Sequence, residues 1–464
     1  MKKIYILILL ASLPFASCKK FLDQAPEGNL RENLFTNASD AQQTLNSCYD
    51  ALANLYDGRI QGMFELLSDN LNIPNSNNDL KSVYAREVTY FNSTTNKVYQ
   101  DLYTVIFRCN TLLDNIDVIT DFSAGQKDQL IAEARFLRGF CHWTACRLWA
   151  QPYGYTPDNS HFGVPLRTSA SADALVRSTV KEVYENVIAD LVFAEQNLPE
   201  TNTSSATKYS AAGVLALVHF QMNDFANAAS YCDEVINSGQ FQLLTGLDRF
   251  PNVTMGNNTT SEFVFGTVTN QFSEQGSGLF DRRCGTFISN YQVNNSIAEL
   301  SLSDDFFTFV NLNPVDTRIT SWIEVVGTRY FLHKLYANNN FSIPIVHLTE
   351  LKLIRAEALA ESNGDLTTAI QDINDIRNRA FVPGTNELSS SATTSQIIDA
   401  ARREYRIETV GEGKWVDQLK RRGANGENIV VRNAPWNCNG MAIQFPNSES
   451  TVIGFQLNPE GGCN

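Results

Sequence analysis

Histidine is scarce: there are 5 in 464 residues, at positions 142, 161, 219, 333 and 347. None stands at the spacing a metal site requires. No Cys-x-x-Cys pair occurs, which removes a zinc ribbon and a thioredoxin-type dithiol. Gly-x-Ser-x-Gly, His-Glu-x-x-His, a phosphate-binding loop and a dinucleotide glycine fingerprint are all missing, so no cofactor is expected. Gly411-Glu412-Gly413 is too short for a phosphate loop and reads as a tight turn between helical segments. Positive charge is in deficit, with 36 Lys+Arg against 50 Asp+Glu and a net charge of −14. That balance argues against nucleic acid or an anionic membrane surface as the main partner. A glycosidase carboxylate pair is defined by distance in space, so acidic composition alone neither finds nor excludes one.

One apolar run stands apart, Ile4 to Leu13, and it is too short to span a bilayer as a stable helix. Met1-Lys2-Lys3 precedes it and Phe15-Ala16-Ser17-Cys18 follows, with small residues directly before a cysteine. This is the pattern of a bacterial lipoprotein signal over residues 1–17, with Cys18 as the acylated anchor and 18–31 as anchor and polar tether. A multiply acylated cysteine holds stably where one chain would be marginal. Cys109, Cys141, Cys146 and Cys232 fall in helical apolar patterns and read as small buried hydrophobes. Cys438 and Cys463 sit in an Asn/Gly/Pro-rich end of an exported chain, where a disulfide can form.

The stretch Glu133 to Trp149 carries apolar residues on two neighbouring helical stripes, Leu137, Cys141 and Leu148 beside Phe136, Phe140 and Trp143. So wide an apolar arc predicts a helix packed on several sides. Around it the 3.6-residue period predicts helical repeats over about 41–56, 98–149, 180–237 and 348–420. Two turns share one pattern, Asp224-Phe225-x-x-Ala228 and Asp365-Leu366-x-x-Ala369, each with an apolar residue seven further on, Val235 and Ile376. This is the tetratricopeptide-type helix pair in degenerate form. Three stretches lose the period: 69–95, 239–345 and 423–464. The first is rich in Asn and is expected to be a long loop. Glu262 to Phe265 reads as a strand, and Trp322 to Leu335 as a hairpin turning at Gly327-Thr328 with II′ geometry. The expected fold is mainly α: one domain over 32–464, a tetratricopeptide-like scaffold of helix hairpins with large loop-rich excursions and a few short β-hairpins.

Loop-rich excursions on a rigid scaffold are where a binding surface is built. Sugars are held by aromatic faces against their C–H surfaces and by amide or charged groups at their hydroxyls. Asn72, Asn75, Tyr84 and Tyr90 supply both in one excursion, Phe280, Arg283, Tyr291 and Trp322 in the next, and Trp436 near the tail. Trp322 and Trp436 lead this set because their surroundings are polar and irregular, whereas Trp415 lies in a helical pattern and belongs to the core.

Several motifs in order then carry a resemblance. Cys18-Lys19-Lys20-Phe21-Leu22-Asp23 with Pro26 opens the set, followed by Glu133-Ala134-Arg135-Phe136-Leu137-Arg138-Gly139-Phe140 and Gly163-Val164-Pro165-Leu166. Ala356-Glu357-Ala358, Ile373-Asn374 and Ile376-Arg377 come next, then Glu412-Gly413, Trp415 and Asp417, and finally Phe445-Pro446-Asn447 and Asn458-Pro459. Essentially end to end, this order resembles the SusD/RagB family of outer-membrane lipoproteins. The resemblance implies capture of a glycan, or in some branches an oligopeptide, at the cell surface without catalysis. It also implies a partner, a TonB-dependent SusC-like transporter over which the lipoprotein acts as a lid. The matched motifs are scaffold, so they carry fold and class but no ligand contacts. A surface glycan hydrolase is the alternative from another class.

Overall fold

The computed structural model describes residues 35–202, 205–248, 260–267, 286–287, 290–291, 298–334 and 342–463. Helix α1 (Ala38–Leu55) is capped by Asn37, whose side chain accepts the Asp40 N–H. α2 (Arg59–Leu67), α3 (Asn78–Ala85) and α4 (Ser93–Asn115) follow. The segment 69–95 is therefore not one long loop. Two of its asparagines work as caps: Asn77 accepts the Leu80 N–H and Asn92 the Thr95 N–H, so residues that read as loop formers start helices.

The central helix α5 (Gln126–Trp149) starts about two turns before the stretch that opens at Glu133 and packs against α1, α4, α6 (Val180–Asn197) and α7 (Lys208–Gln221). Phe136, Phe140 and Trp149 are wholly enclosed. Several of its polar residues are enclosed too, and these find partners. Arg138 holds Asp190 of α6 through two bonds of 2.8 Å and Asn110 of α4 at 2.9 Å, while Arg135 reaches the same Asp190 at 2.9 Å. Gly139 lets α5 and α6 approach, since a Cβ there would lie 3.0 Å from the Asp190 Cβ. His142 is buried and neutral: Nδ1 bonds the Arg138 carbonyl and Nε2 accepts the Arg167 N–H at 3.2 Å.

The helix pairs α7/α8 (Phe225–Ile236) and α11 (Leu348–Glu361)/α12 (Leu366–Ala380) are the two repeats read from the sequence. Asn223 and Asn363 take the left-handed conformation at φ 57° and 56°, and Asp224 and Asp365 cap the helices that follow. Ala228, Val235, Ala369 and Ile376 are fully buried at the pair contacts. α8 packs on α11, and α11 on α13 (Thr394–Glu408), so the helices form one continuous stack. Between α13 and α14 (Trp415–Ala424) the chain turns at Gly411 and Gly413, with φ 81° and 73°. The N–H groups of that turn donate to the buried Glu65 Oε1 at 3.0 and 2.9 Å.

The excursion 239–345 carries, among its described residues, β1 (Phe263–Thr267), short helices that its aperiodic sequence concealed, such as α9 (Asp304–Val310) and α10 (Thr317–Trp322), and the strands β2 (Ile323–Val326), β3 (Arg329–Leu332) and β4 (Ile343–His347). β1 pairs antiparallel with β4, and β2 with β3 through Val326↔Arg329. Gly327 at φ 63° makes the two-residue turn. The tail adds β5 (Val430–Val431), β6 (Ala434–Pro435) and α15 (Asn447–Ser450). Among the described residues, no helix is long and apolar enough to cross a membrane.

Buried charge concentrates where α10, α12 and α13 meet. Arg318, 1% exposed, lies within 2.7 Å of Asp316, 2.8 Å of Glu404 and 2.9 Å of Glu408. Arg377 adds a bond to Glu404 at 2.9 Å and Arg379 one to Glu408 at 3.3 Å.

Candidate functional site

The residues proposed from sequence do not converge on one place. Cys18, Phe280 and Arg283 lie outside the described residues. Tyr291 and Trp322 are corrected from ligand contacts to core. Tyr291 is wholly buried and stacks on Phe287 at 6.3 Å between centroids. Trp322 is 4% exposed under the β2–β3 hairpin, with the Lys334 ammonium 4.9 Å above its ring. Asn72 stitches two loops, donating to the Leu302 carbonyl at 2.8 Å. Asn75 is exposed, and its N–H donates to the Glu299 carbonyl. Tyr84 lies beneath the Arg432 guanidinium at 3.9 Å. Trp436 is half-buried over Gly423, where a Cβ would come within 2.2 Å of its ring, and it meets Tyr155 edge-on.

Tyr90 lines a cleft of about 350 Å³ between residues 86–91 and the C-terminal tail, at the lower end of the size range of small-ligand sites. Cys438 and Cys463 are joined as a disulfide beside it. On one wall Phe91, 71% exposed, leans on Tyr90 with ring centroids 4.3 Å apart. The opposite wall is Pro459, Glu460, Gly461 and Gly462, and Glu87 lies on the first side. Sequence reading missed Phe91. The signal was a pair of adjacent aromatics directly before a helix cap, where neither ring has a helical partner face.

The floor is built tightly. Gln444 spends its whole amide on Asn458 and Phe445, donating to the Asn458 carbonyl at 2.8 Å and accepting the N–H groups of Phe445 and Asn458 at 3.0 Å. Asn458 in turn donates to the carbonyls of Trp149 at 2.9 Å and Ile443 at 2.7 Å, tying the tail to the end of α5. Gly440 rests on the Arg86 carbonyl so closely that a Cβ would sit 1.9 Å from that oxygen. Arg86 itself is left-handed at φ 59°, and its guanidinium turns inward to the Val431 carbonyl at 2.7 Å. Burial, helped by the neighbouring Arg432, lowers its pKa to about 10, so it stays cationic at neutral pH.

A second space lies inside the helical stack, between Phe64, Phe140, Trp143 and the ion pairs Lys414–Glu350 and Arg147–Asp417. At about 50 Å³ it has room for a few water molecules. Its carboxylates face cations. Burial is the main influence on Glu350 and raises its pKa, with Lys414 opposing. Glu65, at the edge of this region, is raised by burial to about 7 against the lowering effect of the Gly411 and Gly413 N–H groups. Among the described residues, no group of three His, Cys, Asp or Glu side chains is placed to hold a metal ion.

Comparison with known proteins is consistent along the chain. Residues 20–220 match the SusD-like family described as starch-binding, associating with the outer membrane, and residues 325–446 match the SusD family. SusD-like protein P2 of Formosa agariphila is 25% identical over 90% of this chain and 90% of its own length. SusD-like protein P25 of the same organism is 27% identical over 52% of this chain, and the match spans only 48% of that relative. Among solved structures, a SusD superfamily protein from Bacteroides thetaiotaomicron shares the fold with a TM-score of 0.78 at 22% identity, over 91% of this chain and all (100%) of that one. A laminarin-binding SusD-like protein shares it with a TM-score of 0.73 at 17% identity, over 92% of this chain and 100% of that one. The two family matches and a relative aligned over nearly its full length place the sequence among those that resemble the SusD/RagB family, and the helical architecture is the one shared by solved SusD superfamily structures.

Proposed function

We propose that this protein captures oligosaccharide at the cell surface and passes it, chemically unchanged, to a TonB-dependent SusC-like transporter in the outer membrane. The observation that carries the reading is the open cleft in which the exposed Phe91 and its neighbour Tyr90 face a glycine-rich backbone wall. A sugar ring laid on Phe91 covers its C–H face, and its hydroxyls meet backbone groups of Gly461 and Gly462 and the carboxylates of Glu87 and Glu460. A family described as starch-binding and a structural neighbour named for laminarin favour saccharide over peptide. Cleavage after residue 17, acylation of Cys18 and the tether to residue 31 would hold the cleft near the membrane while leaving it free to close on the transporter.

Calorimetry on the chain from Lys19 onward, against starch- and laminarin-derived oligosaccharides and a set of oligopeptides, tests this. The expected result is saccharide binding without turnover, weakened roughly three- to tenfold by Phe91→Ala, the value of an aromatic contact. Peptide binding alone would move the protein to the peptide branch. Release of reducing ends would overturn the non-catalytic reading.

A further inference from the structure

The outer wall of the cleft is held by two unlike anchors. At one end is Asn458, 7% exposed and bonded through its side chain to Trp149, Ile443 and Arg177. At the other is Cys463, joined to Cys438. Between them Pro459, Glu460, Gly461 and Gly462 are all exposed. Among the described residues, the hydrogen bond that reaches this span is a long one, from Asn439 Nδ2 to the Glu460 carbonyl at 3.4 Å. Two glycines, one at φ 137°, give the span little side chain to pack and much conformational freedom to lose. Cys438, by contrast, is a fixed post. Its N–H donates to the Pro435 carbonyl, its own carbonyl accepts from Gln151 and from the Met441 N–H, and Arg86 stands 3.8 Å from its sulfur.

Taking the cleft as the saccharide site, we infer that the Cys438–Cys463 disulfide is its positioning element, holding the lip Pro459–Gly462 across from Tyr90 and Phe91. The Gln444–Asn458 clamp keeps the tail folded without it. The bond therefore acts on the ligand by pre-organisation: with it, the lip is ordered before binding; without it, each binding event must order four residues. This is a role in recognition, separate from the usual reading of a tail disulfide as general reinforcement.

The test compares the Cys438→Ser/Cys463→Ser double variant, the intact protein and Phe91→Ala by calorimetry with starch- and laminarin-derived oligosaccharides. A second variant ends the chain at Asn458 and carries Cys438→Ser, removing the lip altogether. The double-serine variant is expected to unfold cooperatively with an unchanged circular dichroism spectrum, and to bind at least tenfold more weakly. Its loss should appear as a less favourable binding entropy, with the binding enthalpy largely retained. The shortened variant should lose at least as much affinity and should also lose enthalpy, because the backbone contacts are gone. Double-serine binding equal to the intact protein, with Phe91→Ala still weakened, would overturn the lip inference and leave the cleft in place. Undiminished binding by Phe91→Ala, or no saccharide binding at all, would remove the cleft reading and this inference with it.

Discussion

Replacing Arg318 by Met should cost this protein a large part of its stability, and the size can be worked from the ion cluster. The guanidinium is enclosed, with Asp316, Glu404 and Glu408 all within 2.9 Å. Burial alone would depress its pKa, but Glu404, Asp316 and Glu408 outweigh that and hold it well above the ordinary value. After the substitution Glu404 keeps Arg377 and Glu408 keeps Arg379. Asp316, fully shielded, loses its cation. One orphaned buried charge costs about 3–5 kcal/mol, so the expected loss at pH 7 is about 4 kcal/mol. At about 2 °C or less per kcal/mol for a chain of this size, the melting temperature falls by up to about 8 °C. The pH dependence has a fixed sign. The folded variant gains more than its unfolded chain when the one orphaned carboxylate, on Asp316, takes up a proton. The deficit against wild type should therefore shrink as pH falls from 7 toward 4. Urea unfolding of both proteins at pH 4.5, 6 and 7.5 measures it. A deficit under 1 kcal/mol, or one indifferent to pH, would refute the claim that this carboxylate is charged and dependent on Arg318.

Trp322→Ala should lower stability by roughly 3–5 kcal/mol through the cavity it leaves while saccharide affinity of the folded protein stays unchanged, which parallel melting and calorimetry would show. Gly440→Ala drives a Cβ to within 1.9 Å of the Arg86 carbonyl. Both cleft walls must move, so saccharide affinity should fall together with about 1–3 kcal/mol of stability. His142 is depressed to about 4, chiefly by burial. The stability it contributes is complete above its unfolded pKa of about 6.5 and is lost as pH falls from there toward 4. His142→Gln should flatten that part of the stability–pH curve, as denaturation midpoints would record.

Long apolar periods were legible in the sequence. The limits of α6, α11 and α12 follow from stripes whose spacing no loop would maintain, and the Asp-x-x-x-Ala turns placed both helix pairs. Asparagine misled at 69–95, because capping and loop formation draw on the same side-chain acceptor, and only the following backbone decides which occurs. The site was harder. Arg86 and Cys438 stand 352 residues apart along the chain and yet share one floor. Tyr90 was singled out and Phe91 was not, although they are neighbours. Which of two adjacent rings faces solvent depends on the tail folded against them. Trp322 looked exposed for the same reason: polarity nearby in sequence says little about what a hairpin folds over.

The contact between α5 and α6 bears on how such a chain changes over generations. Arg135, Arg138 and Gly139 all address one residue, Asp190, two by charge and one by having no side chain. A larger residue at 139 pushes the carboxylate away from both arginines, and a neutral residue at 190 strands both. A change at one of the four positions therefore calls for a compensating change at the others, and their effects on stability should couple rather than add.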